Sequence, residues 1–563
     1  MYRTHNCGEL NILDINKKVI LSGWVHNIRI LKKYIFIDLR DYYGITKLFI
    51  KKKYYLFKIN NEYLIRIKGI VKKKNKNNIE VHVYKINIIN KSKILPFNIN
   101  SNGIPKVSKK LRLKYRYLDI RRKVIKDNLI KRSNIINKIR QYFLKKKFIE
   151  LETPLLVNNT IEGARNFIIP SRNFKGKFYS LPQSPQIFKQ LLMIGGIDKY
   201  FQIAKCFRDE DLRKDRQTEF LQLDIEISFI NKIKNIIKLI EKFIKYIFKK
   251  FYNQRIIRFK KIKYNKAIKK YNTDKPNLIN KIYNINIKIK KIKKKYNILS
   301  FILPNFLNIK NFKINKIIKI INIIFKKKYK KILIINNKNK YNNNFKKKKI
   351  LNIIKKKFFS EYDILIIIIY NNNLKINKNK IFDKINKLLY NEAIYKKNIL
   401  IPIWIINFPL FKYNIKNKKY YSYHHPFTCP IINNNKLSYK NYSKSYDLVI
   451  NGIEIASGSI RINNYKLQKK IFNLLKIKKE NINKNFKFFL NALKYGVPPH
   501  GGIGIGIDRL ILLLLNKKDI KNLIPFPKNY YNKDIMLNSP SKINNNYLFK
   551  LGIKIIKKNK IYK

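Results

Sequence analysis

Acidic residues are scarce in this chain. Its 563 residues include 127 lysines and arginines but only 31 aspartates and glutamates, which gives a formal net charge of +96. A strongly basic balance favours a polyanionic partner, nucleic acid above all. Lysine, asparagine, isoleucine, tyrosine and phenylalanine crowd the sequence, and all five are encoded by codons rich in A and T. We therefore expect part of the charge to reflect genome composition rather than a binding surface.

Cysteine and long apolar runs are also rare. Cys7, Cys206 and Cys429 lie far apart with no C-x-x-C pair, which argues against a zinc site or a disulfide framework and suits a reducing compartment. The apolar runs at 364–369 and 510–515 fall well short of the roughly 18 residues that span a bilayer. The N-terminus has no apolar signal segment. We expect a cytoplasmic protein without membrane segments, in three or four domains.

The few acids are clustered. Seven of them fall within the 19 residues from Arg208 to Glu226, where composition predicts about one. From Phe220 onward the sequence alternates between one face with Leu221, Leu223, Ile225, Ile227 and Phe229 and another with Gln222, Asp224, Glu226 and Ser228. Residues 199–207 are also strand-like. We predict an antiparallel hairpin with a long charged loop and an acid-lined face, the alternative being a solvated, salt-bridged hairpin.

Residues 1 to about 100 predict a small β domain. The five strand candidates are 19–25, 34–39, 45–50, 63–71 and 79–89. Five short strands favour an OB-type barrel, a fold that binds oligonucleotides on one face. Phe36 in mid-strand and Arg29 in the preceding loop suit the stacking and charge contacts of such a face. A core phenylalanine and a solvated arginine would give the same pattern.

Helical and strand patterns follow a linker-like segment at 98–106. Residues 125–143 carry apolar side chains at three- and four-residue steps, and 148–154 form a strand that runs into a proline. Together they are either an ordinary core element or a dimer seam. Residues 179–190 pass from a strand into a helix near Pro185, and 231–252 predict another amphipathic helix.

Little distinctive chemistry is present between residues 255 and about 395, where periodic apolar positions predict a folded insert. Beyond it, His424 and His425 are adjacent in a chain with only six histidines. Residues 496–515 form a glycine-rich strand that passes into an apolar helix. Arg509 lies at that junction, where it either binds a phosphate or forms a salt bridge.

A second group of polar residues surrounds a predicted turn at Asn451-Gly452. Asp447 and Glu454 bracket this turn, and a run of small residues then leads to Arg461. Small residues allow a ligand to approach the backbone closely.

Together these segments resemble the class II aminoacyl-tRNA synthetases, and among them the bacterial aspartyl type. The segments that carry the resemblance are FIELETP (motif 1), QSPQIFKQ, FRDEDLRKDRQTEFLQLDIEISF (motif 2), HHPFT, NGIEIASGSIR, YGVPPHGG and GIGIGIDR (motif 3). KIKYNKAIKKYNTDKPNL is similar to the family segment that leads into an insertion domain. The resemblance covers residues 1 to about 280 and about 400 to 545.

The resemblance implies an α+β fold. It comprises a class II catalytic domain built on a six-stranded antiparallel sheet, an N-terminal OB-fold barrel and an inserted α/β domain. The implied domains are 1–100 (OB-fold anticodon-binding), 101–125 (hinge), 126–280 (first catalytic part), 281–395 (degenerate insertion domain) and 396–563 (second catalytic part).

The resemblance also implies a homodimer that activates L-aspartate with ATP and Mg²⁺ and transfers it from aspartyl-adenylate to the 3′ end of tRNA-Asp. One alternative is an enzyme that also charges tRNA-Asn, and another is a sibling enzyme for asparagine or lysine. A non-catalytic tRNA-binding paralogue is expected to lose Arg208, Glu454 or Arg509, and all three are present. A single-stranded nucleic-acid binder would leave some 400 residues unexplained.

By resemblance, Arg208, Glu454 and Arg509 are the catalytic residues. Arg208 holds the α-phosphate and the substrate carboxylate, Arg509 holds the γ-phosphate, and Glu210 and Phe220 hold adenine. The whole implied ATP-binding set is Arg208, Asp209, Glu210, Arg216, Gln217, Phe220, Glu454, Gly506, Ile507, Asp508 and Arg509. In the motif 2 loop, Asp209, Asp211 and Asp215 are expected to hold the arginines in place.

The implied amino-acid site recognises charge. Arg461 and Lys189 grip the side-chain carboxylate, so uncharged asparagine would leave buried charges unpaired. The implied aspartate-binding set is Glu162, Ser184, Gln186, Lys189, Arg208, Asp224, His424, His425 and Arg461. Asp447 and Glu454 would hold Mg²⁺, whose preferred ligands are oxygen atoms. Arg29, Phe36 and Lys47 are the implied anticodon contacts.

Overall fold

The computed structural model divides the chain into two compact units, Met1–Asp127 with Ile535–Leu537, and Asn128–Asp534 with Asn538–Lys563. The structure describes all residues except 53–57, 76–77, 101–106, 160–163, 211, 213–214, 253–257, 279–282, 285–295, 304–310, 326–327, 337–363, 375–380, 382–383, 386–399, 416, 433–436 and 556–563.

The first unit is built on a closed five-stranded barrel. Its strands are β1 (Lys18–Ile30), β2 (Tyr34–Arg40), β3 (Ile45–Lys51), β4 (Leu64–Asn75) and β5 (Asn78–Asn90), closed in the order β1-β2-β3-β5-β4. Alternate residues such as Leu21, Ile37 and Leu48 fill the interior, which confirms the predicted OB-type barrel. Arg29, predicted in a loop, instead lies in β1 opposite Phe36, because β1 continues past its apolar alternation.

The short helices of this unit precede and follow the barrel. They are the 3₁₀ helix Ile12–Asp14 and the α-helices Lys109–Lys114 and Arg116–Arg121. Asp119, fully buried, accepts hydrogen bonds from Arg112, Arg116 and Arg122. These charge-assisted bonds fix the segment that leaves the barrel.

The second unit contains the remaining strands and most of the helices. Its strands are β6 (Ile149–Glu150), β7 (Ile168–Pro170), β8 (Phe178–Ser180), β9 (Lys199–Phe207), β10 (Glu219–Ser228), β11 (Lys260–Lys263), β12 (Tyr283–Asn284), β13 (Tyr296–Leu303), β14 (Lys331–Asn336), β15 (Ile364–Asn371), β16 (Pro402–Ile406), β17 (Phe411–Asn414), β18 (Lys419–Ser422), β19 (Pro430–Ile431), β20 (Tyr442–Ser443), β21 (Ser445–Ile450), β22 (Ile453–Ile460) and β23 (His500–Gly506). The remaining helices are Lys123–Lys145, Gln186–Ile194, Ile233–Phe251, Tyr264–Tyr271, Asn311–Phe325, Tyr465–Leu474, Lys479–Ala492, Ile507–Leu514, Asn545–Lys550 and the 3₁₀ helix Ile520–Asn522. Among the described residues, no helix combines the length and apolar character that crossing a membrane requires.

A large sheet organises this unit. Its order is β11-β16-β21-β22-β23-β10-β9-β6. The inner six strands are antiparallel, as expected, and one short parallel strand is added at each edge. The helix Ile233–Phe251 packs Phe243, Ile244 and Ile247 into the main core beside this sheet. The side chains on the opposite face of the sheet therefore lie toward the cavity described below.

One predicted hairpin and one predicted turn form in the sheet. β9 pairs with β10 so that Asp224 lies opposite Gln202, which confirms the hairpin in the acid-rich stretch. Phe229, expected to continue its apolar face, instead lies past the strand end with φ of 57° and is 72% exposed. The turn between β21 and β22 has φ of 51° at Asn451 and 83° at Gly452, the left-handed pair typical of a two-residue hairpin turn.

The insert forms a small sheet of its own, with the order β12-β13-β15-β14. Its core is almost entirely aliphatic and aromatic, with Phe301, Ile317, Ile366 and Ile368 fully buried. This confirms that the insert is folded.

Candidate active site

A cavity opens against β10, β22 and β23 and brings most of the predicted site residues together. The predicted residues in its wall are Ser184, Gln186, Lys189, Arg208, Glu210, Arg216, Gln217, Phe220, His424, His425, Glu454, Arg461, Gly506, Asp508 and Arg509. Asp224 is buried in contact with Lys189, and Asp447 contacts His424. Asp209 and Ile507 do not line the cavity, and Glu162 lies outside the described residues.

Four charged side chains are buried at one end of the cavity. The Nζ atom of Lys189 lies 2.7 Å from Asp224 Oδ1 and 3.5 Å from Glu226 Oε2. The Arg461 guanidinium donates to both oxygens of Glu226, at 2.8 and 3.0 Å. None of the four is more than 3% exposed. Two cations and two carboxylates therefore balance each other where water cannot screen them.

The strands and the helix that carry these four side chains explain why they lie together. The alternation of β10 places Asp224 and Glu226 on one face of the sheet. Lys189 projects onto that face from the helix Gln186–Ile194, and Arg461 follows the end of β22. Ser459, two residues earlier, accepts a hydrogen bond of 2.7 Å from Arg461 and fixes its orientation.

The buried charges of Lys189 and Arg461 shift the pKa values of the groups beside them. Burial opposes ionisation of Glu226, but the charges of Arg461 and Lys189 outweigh it and hold the Glu226 pKa below its usual value. Burial and the Arg461 charge hold the pKa of His425 well below its usual value. His425 is therefore neutral near pH 7, and its Nε2 lies 2.6 Å from Arg461 Nη1.

The motif 2 loop supplies a second group of charges. The guanidinium of Arg208 lies 5.1 Å from the centre of the Phe220 ring, a cation–π contact. Arg216 donates to Glu210 at 2.5 Å. Glu210 therefore restrains this loop arginine, a role that we expected the loop aspartates to perform.

The aspartates of this loop have other partners. Asp209 lies 3.8 Å from Arg165, and Asp215 lies 3.6 Å from Arg509. Asp211 is outside the described residues. Among the described residues, Asp209 and Asp215 thus pair with arginines outside their own loop. Arg213 lies outside the described residues, so the expectation that they hold the loop arginines stays a prediction.

Arg509 and Glu454 meet beside the helix Ile507–Leu514. Arg509 donates to the backbone oxygen of Glu454 at 3.0 Å. Burial raises the pKa of the Glu454 carboxyl, but the nearby charges of Lys275 and Arg509 outweigh it and lower that pKa to about 2. Glu454 is therefore ionised throughout the neutral range.

Two predicted ATP contacts brace the cavity wall. The Asp508 carboxylate accepts hydrogen bonds from Arg132 and, at 3.1 Å, from the Leu221 backbone N–H. The Gln217 amide accepts from the Lys528 backbone N–H at 2.9 Å. Both side chains are engaged by the protein itself, and Asp508 is only 3% exposed.

Several hydrogen-bonding atoms in the cavity wall are buried and unsatisfied by protein. Within the described part of the chain, these atoms are Gln186 Nε2, Arg208 Nε, Arg216 Nε and His424 Nδ1. A buried donor without an acceptor costs roughly 1–3 kcal/mol. Three of these atoms, Gln186 Nε2, Arg208 Nε and Arg216 Nε, are donors, and unmatched donors around one cavity indicate a ligand rich in oxygen acceptors.

Asp447 and Glu454 provide a donor set that fits Mg²⁺. They lie on adjacent strands and offer carboxylate oxygens, and Mg²⁺ commonly binds one or two carboxylates together with substrate phosphates and water. In the described residues, no cluster of three or more potential metal ligands exists. The residues therefore suit an ion that arrives with a phosphate ligand, not a cage made by protein alone.

The barrel carries its own aromatic row. Phe36 lies 5.6 Å from Phe49, and Phe49 lies 4.5 Å from His82, measured between ring centres. Arg29 is opposite Phe36, and Lys47 is in β3 opposite Asp38. The sequence prediction found Phe36 but missed Phe49 and His82, which the strand pairing brings beside it.

Comparison with known proteins agrees with this architecture. Residues 108–530 match the family model described as tRNA synthetases class II (D, K and N), and residues 19–89 match an OB-fold nucleic acid binding domain. The chain belongs to the class II tRNA synthetases of the D, K and N group. The resemblance inferred from the motifs is thus confirmed.

Curated relatives of this class II synthetase match it along its whole length. The aspartate–tRNA ligase of Buchnera aphidicola subsp. Schizaphis graminum is 42% identical, with 99% of this chain and 100% of the relative covered. The aspartate–tRNA(Asp/Asn) ligase of Borrelia garinii subsp. bavariensis is 41% identical, with 99% of each chain covered.

Solved structures share the fold of this synthetase. The asparaginyl-tRNA synthetase of Pyrococcus horikoshii, solved with asparaginyl-adenylate, matches with a TM-score of 0.60 at 20% identity, covering 94% of this chain and 98% of that chain. At that identity the match supports the architecture alone. It confirms a class II core with an OB-fold domain.

Sequence reasoning missed two charged residues of the catalytic site. Glu226 had a signal, since it shares the polar face of β10 with Asp224. Lys275, which contacts Glu454, had none, because it lies in a loop whose partner is remote in sequence.

Proposed function

We propose that this synthetase is an aspartate–tRNA ligase. It forms aspartyl-adenylate from L-aspartate and ATP and then transfers the aspartyl group to the 3′ end of tRNA-Asp. One observation carries the proposal: Lys189 and Arg461 are buried cations in the wall of a cavity where, among the described residues, the donors Gln186 Nε2, Arg208 Nε and Arg216 Nε have no protein acceptor. The full-length relatives named as aspartate–tRNA ligases support the same conclusion.

Charge exchange explains how aspartate enters a site that is already neutral. In the free site Asp224 pairs with Lys189, while Glu226 pairs mainly with Arg461. The substrate ammonium takes the place of Lys189 at Asp224, and the released Lys189 joins Arg461 on the substrate side-chain carboxylate. Asparagine supplies the ammonium but no second carboxylate. It leaves a buried cation unpaired, which costs about 3–5 kcal/mol, or roughly 10²- to 10³-fold in discrimination.

Activation requires charge stabilisation more than acid–base chemistry. An oxygen of the aspartate α-carboxylate attacks the α-phosphorus of ATP, the bond to the β-phosphate oxygen breaks, and pyrophosphate leaves. Arg208 neutralises charge at the α-phosphate and Arg509 at the γ-phosphate, with Glu210 and Phe220 holding adenine. Asp447 and Glu454 would hold Mg²⁺, which would supply further charge neutralisation at the phosphates.

Transfer completes the reaction. A hydroxyl of the terminal ribose of tRNA attacks the carbonyl carbon of aspartyl-adenylate, and AMP leaves. Arg29, Phe36 and Lys47 on the barrel contact the anticodon, where the aromatic row offers stacking surface for unpaired bases. The enzyme acts as a homodimer, and the helix Lys123–Lys145 and strand β6 form the dimer contact. The domain limits of the proposal are those that the resemblance implies.

The decisive experiment is amino-acid-dependent exchange of pyrophosphate into ATP. Purified protein is expected to exchange label with aspartate and, at equal concentration, roughly 10²- to 10³-fold more slowly with asparagine. Glu454→Gln serves as the inactive control. Exchange that does not depend on aspartate, or that asparagine supports equally, contradicts the proposal.

A second activity is favoured by the Borrelia relative, which is named for both tRNA-Asp and tRNA-Asn. Aminoacylation assays with tRNA-Asp and tRNA-Asn transcripts, on the same preparation, distinguish an enzyme that charges both tRNAs from one that charges tRNA-Asp alone. Aspartylation of tRNA-Asn at a comparable rate identifies a non-discriminating enzyme, and aspartylation of tRNA-Asp alone identifies a discriminating one.

A further inference from the structure

The loop after the helix Tyr264–Tyr271 is held against the catalytic sheet. Asn272, with φ of 53°, ends the helix in a left-handed conformation. The Tyr423 hydroxyl donates to Asp274 at 3.2 Å. A Cβ atom added to Gly452 would lie 3.2 Å from Asn277 Cβ, so the loop packs closely on the β21–β22 turn. The turn that carries Glu454 and this loop are thus fixed to each other.

The packing of this loop brings Lys275 to the carboxylate of Glu454, which is proposed above to bind Mg²⁺. The Nζ atom of Lys275 lies 2.5 Å from Glu454 Oε2. Burial lowers the Lys275 pKa, but the negative charges of Glu454, Asp274 and Asp447 outweigh it and raise that pKa. Lys275 is therefore a protonated ammonium at neutral pH, set among three carboxylates.

An ammonium and a divalent cation cannot share this position. Mg²⁺ binds carboxylate oxygens at about 2.0–2.1 Å, and two like charges on one carboxylate repel each other strongly in a partly buried site. A cation that binds Glu454 Oε2 must therefore displace the ammonium. That displacement subtracts from the affinity for the metal ion alone. ATP offsets it, because its phosphates bring negative charge for both cations.

We propose that Lys275 is a positioning residue that occupies the cation position at Glu454 in the nucleotide-free enzyme and excludes divalent ions until ATP arrives. This inference rests on the proposed role of Asp447 and Glu454 as magnesium ligands. Lys275 keeps the Glu454 carboxylate oriented while the site is empty of nucleotide. It also couples metal binding to nucleotide binding, so that the two enter together.

The test uses Mn²⁺ as the probe and needs no catalysis. Free Mn²⁺ is followed by electron paramagnetic resonance in titrations of the full-length protein without ATP. Lys275→Met is expected to bind Mn²⁺ about tenfold more tightly than the unaltered protein, because no ammonium has to be displaced. Lys275→Arg, which keeps the charge, and Lys269→Met, an exposed change on the preceding helix, are expected to match the unaltered protein.

A double variant locates the effect. Adding Glu454→Gln to Lys275→Met is expected to abolish the gain, which assigns it to this carboxylate. A merely structural lysine predicts the opposite sign, since its loss would loosen the site and weaken Mn²⁺ binding. Unchanged or weaker binding by Lys275→Met overturns the inference. Absence of aspartate-dependent exchange in the unaltered protein would instead contradict the proposed function, and the Mn²⁺ titration needs no catalysis, so the two can fail separately.

Discussion

The β9–β10 hairpin and the insert sheet place opposite demands on their residues. On its polar face the hairpin buries Asp224 and Glu226, each paired with a specific cation. The inner strands of the insert, β13 and β15, bury Phe301, Ile366 and Ile368. The hairpin depends on which charge stands at each position. The insert depends only on apolar volume in a β-strand.

This difference explains where compositional bias can accumulate. Isoleucine and phenylalanine have high strand propensity and suit a buried sheet, so a sequence rich in both still folds there. At the hairpin, replacing one member of a buried ion pair leaves its partner unpaired at a cost of about 3–5 kcal/mol. Lysine-rich, isoleucine-rich composition is therefore compatible with the insert and incompatible with the acid-lined face.

The largest effect is expected at the buried ion pairs. Arg461→Ala removes the guanidinium that pairs with Glu226 and that we propose to bind the substrate carboxylate, and it leaves a buried carboxylate without its partner. The kcat/KM for aspartate in pyrophosphate exchange is expected to fall roughly 10²- to 10³-fold or more. ATP affinity, measured by calorimetry, is expected to change little because Arg461 lies at the amino-acid end.

An exposed pair provides the matched control. Lys17 lies 2.8 Å from Asp14, but its side chain is 55% exposed, so Lys17→Ala is expected to cost less than about 1 kcal/mol and to leave exchange unaffected. An unchanged KM for aspartate in Arg461→Ala would remove that residue from the amino-acid site. Equal losses in both variants would point to general destabilisation.

An intermediate effect is expected from two matched core deletions. Ile225 and Ile366 are both fully buried in inner strands, one in β10 and one in β15. Replacing either isoleucine by alanine is expected to lower stability by about 2–5 kcal/mol. Only Ile225→Ala is expected to reduce exchange, by about tenfold or more, because its neighbours in sequence, Asp224 and Glu226, lose their placement.

The readouts are urea unfolding for stability and pyrophosphate exchange for activity, measured on the same preparations. Ile225→Val and Ile366→Val, each expected to cost about 0.5–1.5 kcal/mol, serve as graded controls. Loss of activity in Ile366→Ala comparable to that in Ile225→Ala would show that the insert is coupled to catalysis. The comparison between the two regions would then fail.

Sequence reasoning recovered the parts of the fold that local pattern determines. The alternation in 220–228 predicted a hairpin that the structure contains, and the turn predicted at Asn451-Gly452 joins two paired strands. Most of the cavity followed from resemblance of motifs. The strand predicted at 148–154 is present as the short β6, whereas the edge strand β11 was not predicted, because four residues are too few to show a period.

Sequence reasoning failed mainly on contacts between residues that lie far apart in the sequence. Lys275 and Glu454 meet only because a loop packs on the β21–β22 turn, and no local pattern encodes that contact. The misplacement of Arg29 has a similar cause, since backbone pairing with β2 extends β1 beyond its apolar pattern. Phe229 shows the opposite error: the apolar alternation in the sequence continues to Phe229, but strand β10 ends at Ser228.

The smallest effect is expected from pH, and it again separates the two regions. Burial and the Arg461 charge keep the pKa of His425 well below its usual value, and burial also lowers the pKa of His500. Below about pH 6.5 the unfolded chain binds protons that the folded site does not. Stability of the catalytic region should therefore be full above that pH and fall as pH drops, by up to about 1.4 kcal/mol per pH unit for each histidine.

Trp404 reports this change selectively. It is buried in the main core beside the catalytic sheet, so in a Trp24→Phe background its fluorescence follows urea unfolding of this region alone. The urea midpoint is expected to stay constant from pH 8 to 7 and to fall toward pH 5.5. His425→Gln is expected to reduce that slope by one proton. The insert has no histidine, so proteolysis within it should be independent of pH over this range once protease activity is normalised. Identical slopes with and without His425 would mean that the imidazole is not held neutral against Arg461, and the electrostatic account of the amino-acid end would need to change.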